Sequence, residues 1–209
     1  MKQRGGQQTE CGWRSAEAES SHDYISPALL ELLGEGKGKS LLDLGCGNGS
    51  LTARLAEAGF SVTGAEHSES GLVQARAAFP KVAFIAQDIN QPFPQHMHGS
   101  FDVVVAVEVI EHLWFPRELF QRATEVLKPD GVLMITTPFH GYLKNLALAA
   151  TNKFDDHWHP YEDFGHVKFF SQKTLTAMAN EQGFRVTHFG RVGRIPVLAK
   201  SMILVSEKN

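Results

Sequence analysis

In the stretch VVVAVEVIEHLW, residues 103–114, an apolar run gives way to Glu108, Glu111 and His112. These positions are spaced i, i+3 and i+4, so on a helical turn they share one face. Two carboxylates and an imidazole can do two kinds of chemistry. They suit a divalent cation with open positions, such as Mg²⁺, Mn²⁺ or Fe²⁺, better than a closed zinc site built from thiolates. A cation there would favour the ionised form of an acceptor hydroxyl. Without one, the same side chains can take that hydroxyl's proton, an effect worth typically about 10² to 10⁴ in rate. The plainer alternative is that Glu108 only lines a pocket while Glu111 and His112 open a helix.

A second constellation lies upstream. LLDLGCGNGSL places Gly45, Gly47 and Gly49 at the exit of a strand, where missing side chains let a ligand approach the backbone amides at a helix N-terminus. A dinucleotide fingerprint needs G-x-G-x-x-G, but here the third glycine falls one position early and Ser50 takes its place. This disfavours an NAD-dependent oxidoreductase. Glu66, 21 residues after Gly45, ends the next strand and can accept both hydroxyls of a ribose. Asp88, read as the end of the third strand, is placed to accept from an adenine amine. A ribose acceptor and an adenine acceptor beside a glycine turn, with no phosphate-binding lysine, describe an adenosine ligand without phosphates, and S-adenosylmethionine fits that description.

The elements that must hold these residues alternate between short apolar runs and amphipathic segments. KSLLDLG, FSVTGAE, KVAFIAQDI, FDVVVAVEV and GVLMITTP read as strands, the last stopped by Pro138. SLTARLAEAG, SESGLVQARAAF and PRELFQRATEVLKPDG read as the intervening helices, the third ending in a Pro-Asp-Gly turn. Such an order predicts an α/β fold with a doubly wound, mainly parallel sheet whose ligand crevice lies at the carboxyl ends of the strands. Before it, SPALLELLG reads as a helix capped by Ser26, with Pro27 in its first turn and Gly34 as its stop. Residues 1–20 are rich in Gly, Gln, Glu and Ser and read as a flexible arm, with one domain over 21–209. Residues 139–165 break the rhythm with aromatics and histidines and read as a lid insertion, helical around Gly141–Ala150. SQKTLTAMANEQG then resumes as a capped helix, followed by the strands FRVTHFGRV and VLAKSMILVSE.

Composition narrows the function classes. A net charge of −3, from 20 basic and 23 acidic residues, offers no basic footprint for long nucleic acid. No run approaches the roughly 18 apolar residues of a membrane span. Cys11 and Cys46 alone make no disulfide framework, so a soluble, cytoplasmic protein is expected.

Taken in order, LLDLGCGNG, Glu66, QDI and FDVVVAVEVIEHL resemble the successive motifs of class I S-adenosylmethionine-dependent methyltransferases over roughly residues 22–205. The resemblance implies a Rossmann-like sheet of seven strands with a reversed last hairpin. By that likeness Gly45, Gly47 and Gly49 would contact the methionine part of the cofactor, Asp43 its amine, Glu66 the ribose and Asp88 the adenine end. Cys46, His67, Ile89 and Glu108 complete the implied cofactor set.

EVIEHL followed by EDFGHVKFFS (162–171) is similar to two branches: the ubiquinone-pathway O-methyltransferases, which act on polyprenyl catechols and quinols, and the small-RNA 3′-end 2′-O-methyltransferases. The resemblance implies a divalent metal on Glu108, Glu111 and His112, with His166 as a further ligand. These four are the expected catalytic residues. The lid sequence matches neither branch closely. For substrate contact the candidates are His22, Tyr24, His140, His157 and His159, from the start of the ordered chain and from the lid.

The expected function is therefore S-adenosylmethionine-dependent O-methylation of a small phenol, quinol or sugar-like acceptor, with a divalent metal such as Mg²⁺ as an optional helper. The rivals are an N-methyltransferase, an RNA 2′-O-methyltransferase, and a catalytically silent cofactor-binding partner subunit.

Overall fold

The strand that carries the acidic pair is apolar on both faces, and the fold gives each face a core. Val103 and Val105 pack with Leu29, Leu51 and Leu55, whereas Val104 and Ala106 pack with Leu119, Phe120 and Leu175. A strand covered by helices on both sides loses the in–out alternation of a surface sheet.

The computed structural model describes residues 12–17, 20–155 and 163–209. Within them, β1 (Ser40–Leu44), β2 (Ser61–Glu66), β3 (Ala83–Ala86), β4 (Phe101–Val107), β5 (Leu127–Pro138), β6 (Phe184–Val192) and β7 (Ser201–Lys208) form one sheet. Its order is β3-β2-β1-β4-β5-β7-β6. All pairings are parallel except those of β7 with β5 and β6, so the reversed last hairpin is present. The order turns outward on either side of β1 and β4, and at such a switch point the crossovers leave a crevice beyond the strand ends.

Six described helices flank the sheet: α1 (His22–Leu33), α2 (Ser50–Glu57), α3 (Glu69–Ala78), α4 (Arg117–Val126), α5 (Tyr142–Ala150) and α6 (Gln172–Glu181). Ser68 caps α3 by accepting from Gly71 N–H. Ser171 and Thr174 form a capping box on α6, which fixes where that helix starts.

Several expected boundaries shift. The first helix begins at His22 rather than after Ser26, so Pro27 lies inside it and removes one backbone donor without stopping it. α4 ends at Val126, and the Lys-Pro-Asp-Gly segment belongs to a long, irregular β5 whose register against β4 shifts between Phe101 and Val103. Asp130 supplies the bend with φ of 59°. The third strand stops at Ala86, two residues short of Asp88. The last strand begins only at Ser201, after a 3-10 turn at Pro196–Leu198. No helix among the described residues is long and apolar enough to cross a membrane.

Candidate functional site

At the carboxyl end of β1 the chain turns sharply into α2. Gly45 and Gly47 have φ of 80° and 54°, a region that L side chains rarely adopt. A Cβ at Gly45 would stand 2.7 Å from a Val109 methyl, and one at Gly47 would stand 2.4 Å from the Trp13 ring. The cradle therefore admits no side chain. Glu66, at the end of β2, accepts Gly47 N–H and Ser68 N–H, one on each carboxylate oxygen and both at 2.7 Å. Each oxygen keeps lone-pair capacity for another donor.

Asp43 is 1% exposed and accepts the Thr52 hydroxyl at 2.7 Å. Burial pushes its carboxyl up to about 7, with Glu66 adding to the rise and the Thr52 hydrogen bond opposing it. Cys46 is a buried free thiol, pushed up by the same desolvation. Asp88 sits in the loop after β3, where it accepts the backbone and side-chain N–H groups of Asn90, both at 2.8 Å. Ile89 beside it is buried, and His67 is exposed.

Asp43 has a folded-state pKa above its unfolded value, so its neutral form contributes stability that is lost as pH rises through about 7. A ligand carrying an ammonium and a sulfonium binds the ionised form. Affinity for S-adenosylmethionine is thus expected to weaken as pH falls through about 7, and titration calorimetry across that range should show Asp43→Asn flattening the profile.

Residues 12–17 are not free, contrary to the flexible arm expected over 1–20. Trp13 N–H donates to Ser70 Oγ at 3.1 Å, and its ring covers Gly47. The buried Asn48 side-chain amide donates to Ser15 O and Glu17 O at 3.0 and 2.7 Å. Neither Trp13 nor Asn48 was expected at the site; the indole in a polar stretch was the one available sign.

At the end of β4 the acidic residues stay neighbours but take different hydrogen-bond partners. Glu108 has φ of 53°, unusual for a residue with a Cβ. This bend folds its carboxylate back toward the sheet, where Thr136 Oγ1–H donates at 2.9 Å and Ser201 Oγ–H at 3.2 Å. Burial pushes it up to about 7, with those hydrogen bonds and Lys144 opposing. Glu111 and His112 lie instead on a 3-10 turn, Ile110–His112, rather than on the α-helical face shared with Glu108.

His166 arrives from the segment before α6, which is pinned because Val167 and Lys168 N–H both donate to Glu111 O at 2.9 Å. Glu111, His112 and His166 each offer one ligand atom, all within 4.8 Å of one another. Glu108 lies outside that group, so the expected four-residue set is gathered as three. Glu111 is 1% exposed; one carboxylate oxygen accepts the Thr137 hydroxyl at 2.9 Å, while the other is buried without a hydrogen-bond partner. Burial, then the neighbouring Glu108, drives its carboxyl well above the usual range. His112 Nδ1 lies 2.8 Å from Phe164 O, which can only accept. This contact selects the tautomer with the proton on Nδ1 and the lone pair on Nε2, the orientation a ligand or a base needs. An orphaned buried oxygen next to two imidazoles fits a divalent cation.

A cavity of about 780 Å³ opens here, lined by Tyr24, Glu108, His140 and His166 among others. Of the other substrate candidates, His22 turns away to Ser50 Oγ at 3.1 Å. His157 and His159 lie outside the described residues.

The methyltransferase-domain family matches residues 17–189. The chain belongs to that family. S-Adenosylmethionine is the cofactor that this assignment carries, and the sheet is the fold of S-adenosylmethionine-dependent methyltransferases. The domain superposes on an S-adenosylmethionine-dependent methyltransferase from Mesorhizobium loti with a TM-score of 0.69 at 20% identity, covering 87% of this chain and 96% of that one. Magnesium protoporphyrin IX methyltransferase from Synechocystis PCC 6803, solved with bound S-adenosylhomocysteine, gives 0.63 at 20% identity, covering 87% and 80%. In sequence, a ubiquinone biosynthesis O-methyltransferase from Caulobacter vibrioides is 36% identical over 119 residues, 54% of this chain and 46% of that protein. The chain spans about half the length of the curated relatives it matches.

Proposed function

We propose that this methyltransferase domain transfers the methyl group of S-adenosylmethionine to a hydroxyl oxygen of a small phenol, quinol or sugar-like acceptor. The observation that carries the reading is the convergence of Glu111, His112 and His166 next to the cavity that His166 and Glu108 line, where a proton would leave the attacking oxygen.

The cofactor supplies an electrophilic methyl on a sulfonium, and the glycine turn with Asp43, Glu66 and Asp88 is the cradle that would hold it. A divalent cation on Glu111, His112 and His166 would supply Lewis acidity toward the acceptor hydroxyl. What the chain itself does is align and deprotonate. Thr136 and Ser201 keep the Glu108 carboxylate against the sheet, at the wall of the cavity. Thr137 holds one oxygen of Glu111 and Phe164 O holds His112 Nδ1, so the second oxygen and Nε2 are the atoms that would either ligate the cation or, without one, take the proton. Because methyl transfer is an in-line displacement, holding the two reactants in register accounts for much of the barrier reduction.

The test is methylation of catechol, hydroquinone and sugar acceptors by the protein with S-adenosylmethionine, before and after chelation and readdition of Mg²⁺, Mn²⁺, Fe²⁺ or Zn²⁺. Loss with chelator and recovery with one metal is expected. Undiminished activity in chelator would leave proton transfer alone to the cluster, and turnover of amines in place of hydroxyls would sink the O-methylation reading.

A further inference from the structure

The cavity beside Glu108 is far more basic than the chain around it. Lys144, Lys153, Arg194 and Lys200 all line it, and Glu108 is the one carboxylate among the described lining residues, in a protein whose net charge is −3. The four cations come from separate places. Lys144 stands on α5, Lys153 follows that helix, and Arg194 and Lys200 flank the 3-10 turn between β6 and β7. None takes part in an ion pair among the described residues.

Convergence of like charges costs energy unless an anion joins them, and the cost is higher where water is partly excluded. Lys144 shows both effects: it is half-buried, its ammonium is held by Phe139 O at 2.9 Å, and burial followed by the charge of Arg194 pulls its pKa down. Lys200 is fixed over the Tyr24 ring at 4.8 Å, so it too is oriented rather than waving in solvent. Between the cations the walls are apolar, with Leu148, Leu198 and Phe169.

We infer that the methyl acceptor carries an anionic group, a carboxylate or a phosphate, which Lys144 and Arg194 hold while Lys153 and Lys200 strengthen the field. This rests on the O-methyltransferase reading for the word acceptor alone; the anion subsite stands on its own geometry. Arg194 suits the task because a guanidinium meets a carboxylate or phosphate through two parallel N–H groups. The apolar walls take the rest of the molecule.

Binding is measured on protein loaded with S-adenosylhomocysteine, using benzoate, phenyl phosphate and neutral benzyl alcohol as probes. At least one of the two anions is expected to bind about tenfold or more tightly than benzyl alcohol, and which one does so assigns the group. The preference should shrink as salt is raised from roughly 50 to 300 mM. Arg194→Gln, at an exposed side chain, should remove most of it with S-adenosylhomocysteine affinity unchanged, and Lys144→Gln should act in the same direction.

Equal binding of benzyl alcohol and both anions, an unaltered preference in Arg194→Gln, or binding of a short RNA but of neither small anion would each overturn the inference. Methylation of 3,4-dihydroxybenzoate against catechol is scored separately. Anion binding without turnover of any hydroxyl compound would sink the O-methylation reading and leave the subsite intact.

Discussion

Replacing Glu111 by glutamine should lower the rate of methyl transfer by about 10² to 10⁴ at saturating cofactor, the range expected when a positioned acid or base is removed. Glutamine keeps the shape and can still accept from Thr137, so the fold is preserved. What disappears is the acid–base capacity of a side chain that is 1% exposed and whose second oxygen has no hydrogen-bond partner. A carboxyl kept dry beside Glu108 is costly to the fold, and relieving that cost should leave the melting temperature equal or higher. Single-turnover transfer, with S-adenosylhomocysteine affinity measured in parallel, separates chemistry from binding. A rate within threefold of the parent would remove Glu111 from the machinery.

The second large effect belongs to Glu66. Substitution by alanine should weaken cofactor affinity by about 10²-fold or more, since hydrogen bonds to a charged group are worth roughly 1.5–3 kcal/mol each and two ribose hydroxyls are at stake. Glu66 also ties the glycine turn to the start of α3 through Gly47 and Ser68, so alanine loosens the cradle as well as removing the acceptor. Glutamine separates these roles: it should recover part of the turn's order but little of the charge-assisted binding. Calorimetry with S-adenosylhomocysteine on both variants provides the comparison, and an alanine variant that binds within threefold of the parent would place the ribose elsewhere.

Much of the framework could be read from the chain because it is written locally. Alternation of apolar runs with amphipathic segments gave the parallel order, and the glycine spacing with Glu66 at a strand end gave the cofactor type. Features that depend on distant parts of the chain were less legible. Nothing in the letters of VEVIEH announces that Glu108 takes a left-handed conformation, with its carboxylate held by Thr136 and Ser201, which belong to β5 and β7. Asp88 fell beyond its strand because β3 loses its pairing to β2 after Ala86. The basic cavity was invisible for a related reason: a net charge averages over the molecule, while Lys144, Arg194 and Lys200 are brought together only by folding.

The torsion at Glu108 has an evolutionary side. A residue with a Cβ in that region costs roughly 1–2 kcal/mol, which glycine would avoid. Any search that rewards only thermal robustness is therefore drawn to glycine or asparagine at position 108, and it would discard the carboxylate that lines the cavity. At this one residue robustness and the proposed chemistry pull in opposite directions, and a lineage that holds on to glutamate there gives up some of the first in favour of the second.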